Sequence, residues 1–179
     1  KPGIFFEGYE NPSLNQVVVG SILANPSETC SPAWGSHYDL SAAARALDLD
    51  RRLVRFRERG GVPIVSLGGD KTQELASVCP SVEALTAAYQ SVFDRYRTIL
   101  DFVIDESVIS DRQINSRRAE ALARLQKQNE HIKIWVSVPA TPSGLSEDVR
   151  HVLRGLLAQG IEPAGINLMA MNFGDAKAD

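Results

Sequence analysis

The chain has 179 residues, of which 44% are hydrophobic and 23% are charged, and its formal net charge is −3. This balance predicts a folded domain with one sizeable core and excludes a disordered chain. The basic residues are scattered and no apolar run approaches the roughly 20 residues of a membrane span, so we expect no nucleic acid and no membrane as partner.

The N-terminal part of the chain contains two predicted strands, at residues 4–9 and 16–23. Only about six residues separate them, whereas a parallel crossover needs about a dozen or more. Either a first helix is missing between these strands, or they pair with each other as a hairpin.

Further along, short β-rich apolar runs alternate with longer amphipathic runs. Strands are predicted at 62–67, 99–104, 132–138 and 166–171, and helices at 41–59, 81–97, 111–129 and 146–159. Ser81 and Ser146 stand at N-cap positions, and Gly60 and Gly160 follow helix ends. The strands begin about 35 residues apart, which is the length of one parallel βα unit.

This alternation predicts an α/β fold of the (β/α)8 TIM-barrel type. Residues 1–179 form a single predicted domain, because no linker or low-complexity tract interrupts them. A full barrel takes about 250 residues, so we expect an incomplete barrel with about six of its eight strands. Its open edges favour self-association along residues 166–173.

Candidate catalytic carboxylates lie at the end of the predicted strand 99–104. Strand alternation directs Asp101, Val103 and Asp105 into the barrel, and the residues between them toward the helices. Inward acids at the C-terminal end of a barrel strand lie where barrel active sites are found. Asp101, Asp105 and Glu106 are therefore candidate catalytic residues; the alternative is that these acids cap the following helix or meet solvent.

Five short motifs, in chain order, resemble those of glycoside hydrolase family 18, and in particular its bacterial chitinases. They lie at residues 30–35, 66–69, 100–106, 139–145 and 167–174. The second is similar to the family's S-x-G-G, and the third is similar to its fourth-strand signature D-x-D-x-E. The resemblance spans nearly the whole chain.

The resemblance implies hydrolysis of β-1,4-linked N-acetylglucosamine, as in chitin, with the substrate's own acetamido group as nucleophile and without a cofactor. In the family, the final glutamate of D-x-D-x-E protonates the leaving oxygen, and the middle aspartate stabilises the acetamide. An ungapped alignment places Asp105 at the acid position and Val103 at the middle position, with Glu106 on the opposite face. A one-residue bulge would instead bring Glu106 into the acid position.

These substitutions predict impaired hydrolysis. Valine cannot stabilise the charge of the acetamide, and aspartate is one methylene shorter than glutamate. Asn172 and Phe173 replace the last two residues of the family's M-x-M-D-Y. The alternative function is a non-catalytic protein that binds chitin or its oligosaccharides on the same scaffold.

A set of candidate substrate-binding residues lies at the predicted strand ends. They are Glu7, Tyr9, Trp34, Gly68, Gly69, Met171 and Asn172. For the two aromatic residues the alternative is core or rim packing, and for the glycines it is an ordinary strand-ending turn. No metal site is expected, because the three histidines are far apart in the chain.

One interpretation of the two cysteines, Cys30 and Cys79, is that both are free buried thiols. In a barrel of the resembled type, both would lie in loops after the second and third strands, which are neighbours. The resemblance therefore implies a Cys30–Cys79 disulfide, which is typical of a secreted protein.

Overall fold

The structure is a computed structural model that describes residues 15–69 and 74–171. Its strands are β1 (Gln16–Asn25), β2 (Glu28–Trp34), β3 (Tyr38–Asp39), β4 (Val62–Gly68), β5 (Ile99–Val103), β6 (Ile134–Pro139) and β7 (Gly165–Met169). Its helices are α1 (Leu40–Ala46), α2 (Leu49–Glu58), α3 (Leu75–Val78), α4 (Val82–Tyr96), α5 (Arg112–Gln128) and α6 (Glu147–Ala158). Within these residues, no helix has both the length and the apolar character needed to cross a membrane.

The strands form one sheet in the order β3-β2-β1-β4-β5-β6-β7. Strands β1 and β4 to β7 are parallel neighbours, whereas β2 and β3 extend the sheet in antiparallel fashion. The sheet curls into an open half-barrel. The predicted α/β fold of parallel βα units is confirmed.

Local capping fixes where the helices begin and end. The backbone N–H of Ala84 donates to Ser81 Oγ, and that of Val149 donates to Ser146 Oγ, so both predicted N-caps are confirmed. Gly60 and Gly160 follow α2 and α6 with left-handed φ values of 82° and 78°. Glycine suits these positions because it has no Cβ to clash there.

The core lies between the sheet and the helices. Along β5 and just beyond it, Leu100, Phe102 and Ile104 are each at most 2% exposed. The ring of Tyr89 on α4 meets Phe102 edge-on at 4.9 Å. Since alternate residues of a strand point to opposite faces, Asp101 and Val103 are left on the inner face of the half-barrel.

The segment that contains Cys30 and Trp34 is strand β2, so the prediction that Cys30 lies in a loop is wrong. It pairs with the C-terminal half of β1, through Ile22 with Trp34 and Leu23 with Ala33. The sequence of β2 does not alternate clearly between apolar and polar residues, and it contains Pro32. Such a strand is tolerated near a sheet edge, and here only the two-residue β3 lies beyond it.

The predicted helix 41–59 is two helices. Helix α1 is capped by Asp39, which accepts from the N–H of Ala42 at 2.6 Å, and it ends before Leu47. Asp48 then adopts the left-handed region, with φ of 54°. The break is a tertiary feature, because the apolar spacing runs across it.

Several strand bounds differ from the prediction, those of β6 and β7 among them. Strand β6 begins at Ile134, and β7 spans Gly165–Met169. The predicted strand 4–9 lies outside the described residues, and with it the choice between a lost helix and a hairpin.

Candidate active site

The inner face of the half-barrel holds one buried carboxylate on β5, that of Asp101. Asp101 is 5% exposed and accepts hydrogen bonds from Ser137 Oγ at 2.7 Å and from Ser66 Oγ at 3.2 Å. The two serines lie on the strands that flank β5. Asp101 is therefore held on both sides by hydroxyl groups.

Burial raises the pKa of Asp101 above its ordinary value, because the charged form loses solvation. The hydrogen bonds from Ser137 and Ser66 favour the charged form and offset part of this effect. The site therefore contains a carboxyl group that holds its proton to higher pH than a solvated aspartate.

A polar row extends from Asp101 across the sheet. Asn167 Nδ2 on β7 donates to Ser137 Oγ at 3.1 Å. On the other side, a Cβ added to Gly20 of β1 would lie 3.2 Å from Ser66 Cβ, so only a glycine fits beside that serine without a shift. Sequence reasoning missed Ser137 and Asn167. Their signal was available, since the inward parity of Asp101 predicts inward polar partners at one level of neighbouring strands.

The end of β4 approaches Val103 closely. Gly68 and Gly69 have left-handed φ values of 85° and 83°. A Cβ on Gly68 would lie 2.6 Å from the carbonyl oxygen of Val103, and one on Gly69 would lie 2.9 Å from its Cγ1. The glycine pair thus lets the backbone pass against β5 at the mouth of the half-barrel.

Asp105 lies beyond the end of β5, in the turn before α5. Its Oδ1 accepts a hydrogen bond from the N–H of Ser107 at 2.7 Å, and its backbone carbonyl accepts from Val108 and Ile109. Its carboxylate therefore caps this turn. Glu106 is exposed.

The register of β5 with β4 and β6 is continuous from Leu100 to Val103. Ile104 continues the alternation, because it is fully buried and its N–H donates to the carbonyl of Ser137 at 2.9 Å. The pairing of β5 therefore contains no bulge that would exchange the faces of Asp105 and Glu106.

Similarity to solved structures supports the fold. The chain superposes on the catalytic domain of a hyperthermophilic chitinase from Pyrococcus furiosus with a TM-score of 0.78 and 23% identity, covering 94% of this chain and 52% of that one. It superposes on active domain 2 of the P. furiosus chitinase, in catalytic-site mutants complexed with chito-oligosaccharides, with a TM-score of 0.75, 23% identity and coverages of 90% and 50%. No protein-family profile matches the sequence.

Two curated proteins are similar in sequence over 93% of the chain. A probable bifunctional chitinase/lysozyme of Escherichia coli (strain K12) is 30% identical over 172 residues, and endochitinase 11 of Metarhizium anisopliae is 29% identical over 174 residues. The chain is a chitinase-like domain, homologous to chitinases at about 30% identity. This chitinase-like domain spans 19% of the length of the first relative and 32% of the second.

The aromatic and terminal candidates of the chitinase-like domain are scattered. Trp34 is 5% exposed and donates from Nε1 to the hydroxyl of Tyr96 at 2.7 Å, so the structure favours the core-packing alternative for this ring. Met171 is 59% exposed just beyond β7. Glu7, Tyr9 and Asn172 lie outside the described residues.

Cys30 and Cys79 of the chitinase-like domain form a disulfide, across a sequence separation of 49 residues. The bridge joins β2 to the residue that follows α3. Although Cys30 lies in a strand and not in a loop, the expected pairing is present. Disulfides are typical of proteins from oxidising compartments.

Proposed function

We propose that this chain is a secreted, single-domain chitinase-like glycoside hydrolase that acts on β-1,4-linked N-acetylglucosamine with impaired activity. The observation that carries the proposal is the retained Asp101, buried between two serines, with Val103 as the next inward residue of the strand. In the alignment to the family's motif, Asp101 stands where the family has its first aspartate and Val103 stands where it has the middle carboxylate, which supports the proposal.

The proposed mechanism assigns the acid role to Asp105. A carboxyl group there would protonate the leaving oxygen while the acetamido group of the sugar attacks the anomeric carbon. Val103 offers that acetamide no hydrogen bond, so the charge that develops on it is not stabilised by the strand. Slow turnover is the expected consequence.

A second candidate function is a non-catalytic oligosaccharide-binding protein. The contact that favours it is the hydrogen bond from the Ser107 N–H to Asp105, which holds this carboxylate on its own backbone. An acid held in that way is not free to reach a glycosidic oxygen. Binding of an oligosaccharide at the mouth of the half-barrel does not require a free acid.

Turnover of N-acetylglucosamine tetramers, measured beside a calorimetric titration with the same tetramer, separates the two functions. Slow release of shorter sugars supports the hydrolase, and binding without release supports the binding protein. If the tetramer is neither bound nor cleaved, both functions are refuted.

The acid is assigned by two matched variants, Asp105→Asn and Glu106→Gln. Each removes one charge and keeps the size of the side chain. Loss of turnover only in Asp105→Asn supports the assignment, whereas loss only in Glu106→Gln places the acid role on Glu106.

A further inference from the structure

A buried ion pair lies behind the candidate site, between Glu74, immediately before α3, and Arg118 of helix α5. Arg118 Nη2 contacts Glu74 Oε1, and the two side chains are only 3% and 7% exposed. Glu74 immediately precedes α3, and its Oε2 lies 3.5 Å from the position of a Cβ on Gly68. One end of the pair therefore borders the glycine turn at the mouth of the half-barrel.

The same guanidinium reaches the loop after β5 through Asn115. Arg118 Nη1 donates to Asn115 Oδ1. The amide nitrogen of Asn115 donates in turn to the carbonyl of Val108 at 3.1 Å and to that of Ile109 at 2.8 Å. Arg118 is thus the central member of a chain of contacts that begins at Glu74 and ends in the loop after β5.

This cluster is poorly explained as a device for stability alone. A buried ion pair gains little over apolar residues of the same volume, because both charges lose their solvation. Its geometry is nevertheless specific, since a guanidinium presents several donors in one rigid plane. Here the plane is directed at Glu74 and Asn115 together.

We infer that Arg118 is a positioning residue that couples Glu74, at the start of α3, to the loop after β5, and so sets where Gly68 and Asp105 stand relative to each other. The inference rests on the proposed function for its consequence, because Gly68 and Asp105 border the proposed sugar site. The coupling itself is a property of the fold and is measurable without sugar.

Hydrogen exchange tests the coupling. The N–H groups of Val108 and Ile109 donate to the Asp105 carbonyl, so their exchange reports opening of the loop after β5. Arg118→Lys keeps the positive charge but loses the planar guanidinium with its several donors. We expect these two amides to exchange about tenfold faster or more in this variant. The matched control is Arg117→Lys, because Arg117 donates to the carbonyls of Ala76 and Cys79 and so touches only the α3 side.

A double-mutant cycle makes the test specific for Arg118. Glu74→Gln removes the negative charge of the ion pair, and we expect it to speed exchange at Val108 and Ile109 in the wild-type background but not in Arg118→Lys. Equal effects in both backgrounds, or equal exchange in Arg118→Lys and Arg117→Lys, would overturn the inference. If Arg118→Lys does not fold, Glu74→Gln alone decides, since unchanged exchange at the two amides also overturns it.

The consequence for the site is measured by titration with the N-acetylglucosamine tetramer at a temperature where each variant is folded. We expect about tenfold weaker binding by Arg118→Lys and unchanged binding by Arg117→Lys. Equal affinities for both variants would refute a positioning role at the site. Absence of binding by the wild type would refute the proposed function, while the exchange measurements would still decide the coupling.

Discussion

At the residue scale, the site is defined by what surrounds Asp101. Two hydroxyl groups from neighbouring strands support a carboxyl group that the fold has removed from water. Burial outweighs those hydrogen bonds and raises the pKa of Asp101. A group of this kind makes stability depend on pH in the direction opposite to an ion-paired aspartate.

The pH dependence of unfolding provides the first prediction. With a folded-state pKa above the ordinary value of 3.8, Asp101 stabilises the fold fully below that value and less as pH rises through the folded-state pKa. Asparagine in Asp101→Asn does not ionise, so the variant does not lose this stability as pH rises. The free energy of unfolding of the variant, relative to wild type, should therefore increase with pH in urea titrations from about pH 4 upward.

The comparison with Asp101→Asn isolates one group, because every other carboxylate is common to both proteins. Asp39 and Asp48, whose pKa values are lowered, affect both curves equally. Parallel curves for the two proteins would show that Asp101 titrates as a solvated aspartate.

Restoring the missing carboxylate is the second prediction. Val103→Asp combined with Asp105→Glu should raise hydrolysis of N-acetylglucosamine oligomers by about 10²-fold or more, because one change supplies the stabilising charge and the other restores reach. The added carboxylate would also raise the pKa of its neighbours, which favours a general acid. Release of reducing ends checks the rate.

The control for this variant is Val103→Asn combined with Asp105→Gln, which has the same shape without the charges. It should not raise hydrolysis. If both double variants bind sugar and neither cleaves it, the carboxylates at positions 103 and 105 are not what limits the chemistry. The binding function then gains support.

At the element scale, the approach of β4 to β5 depends on glycine for two separable reasons. Gly60 and Gly68 have nearly the same φ, 82° and 85°. A Cβ on Gly60 would meet nothing within 4 Å, whereas one on Gly68 would meet the carbonyl oxygen of Val103 at 2.6 Å. The pair of positions therefore separates backbone strain from steric contact.

The third prediction compares alanine at these two positions. Gly60→Ala should lower the free energy of unfolding by about 1–2 kcal/mol, the usual cost of a left-handed Cβ. Gly68→Ala should cost about 1–3 kcal/mol more, because a backbone oxygen cannot move aside as a flexible side chain can. If chemical denaturation shows the same loss of unfolding free energy for both variants, β4 relaxes away from β5 in Gly68→Ala.

The disulfide is the second feature at this scale, since it ties the β2 hairpin to the end of α3. Closing a loop of this length stabilises a fold by about 4 kcal/mol on the chain-entropy model. The fourth prediction is that Cys30→Ser with Cys79→Ser lowers the free energy of unfolding by about that amount. Two free thiols in the denatured, unreduced protein would instead show that the bridge is absent in solution.

At the scale of the whole molecule, the half-barrel is open at β7 among the residues that the structure describes. Within the described part of the chain, β7 is the last strand of the sheet on that side. Ile166 and Leu168 are 48% and 50% exposed, and Met171 is 59% exposed. An exposed apolar edge strand is a template for pairing with another chain.

Self-association through β7 is the fifth prediction. Sedimentation velocity should show association that increases with protein concentration, and Leu168→Lys should shift the protein toward monomer. The control is Leu157→Lys, because Leu157 on α6 is 60% exposed but lies on a helix. A monomeric wild type at high concentration, or equal effects of the two lysines, would contradict association along this edge.

The sequence alone determined the features that depend on neighbouring residues in the chain. The βα alternation, the caps at Ser81 and Ser146 and the inward direction of Asp101 follow from periodicity and local hydrogen bonding, so the pattern predicts them directly. The resemblance to family 18 also followed from motifs and their order. The motifs lie at strand ends, so the length of the βα units sets their spacing.

Only the tertiary structure decided which distant residues meet. Strand β2 exists because β1 offers it a hydrogen-bonding edge, and its own sequence, with Pro32, does not alternate clearly enough to predict a strand. Arg118 shares a helix stripe with the buried Leu122 and Leu125, but only the position of Glu74 makes a buried charge there tolerable. Contacts between residues far apart in the chain depend on packing, which periodicity does not encode.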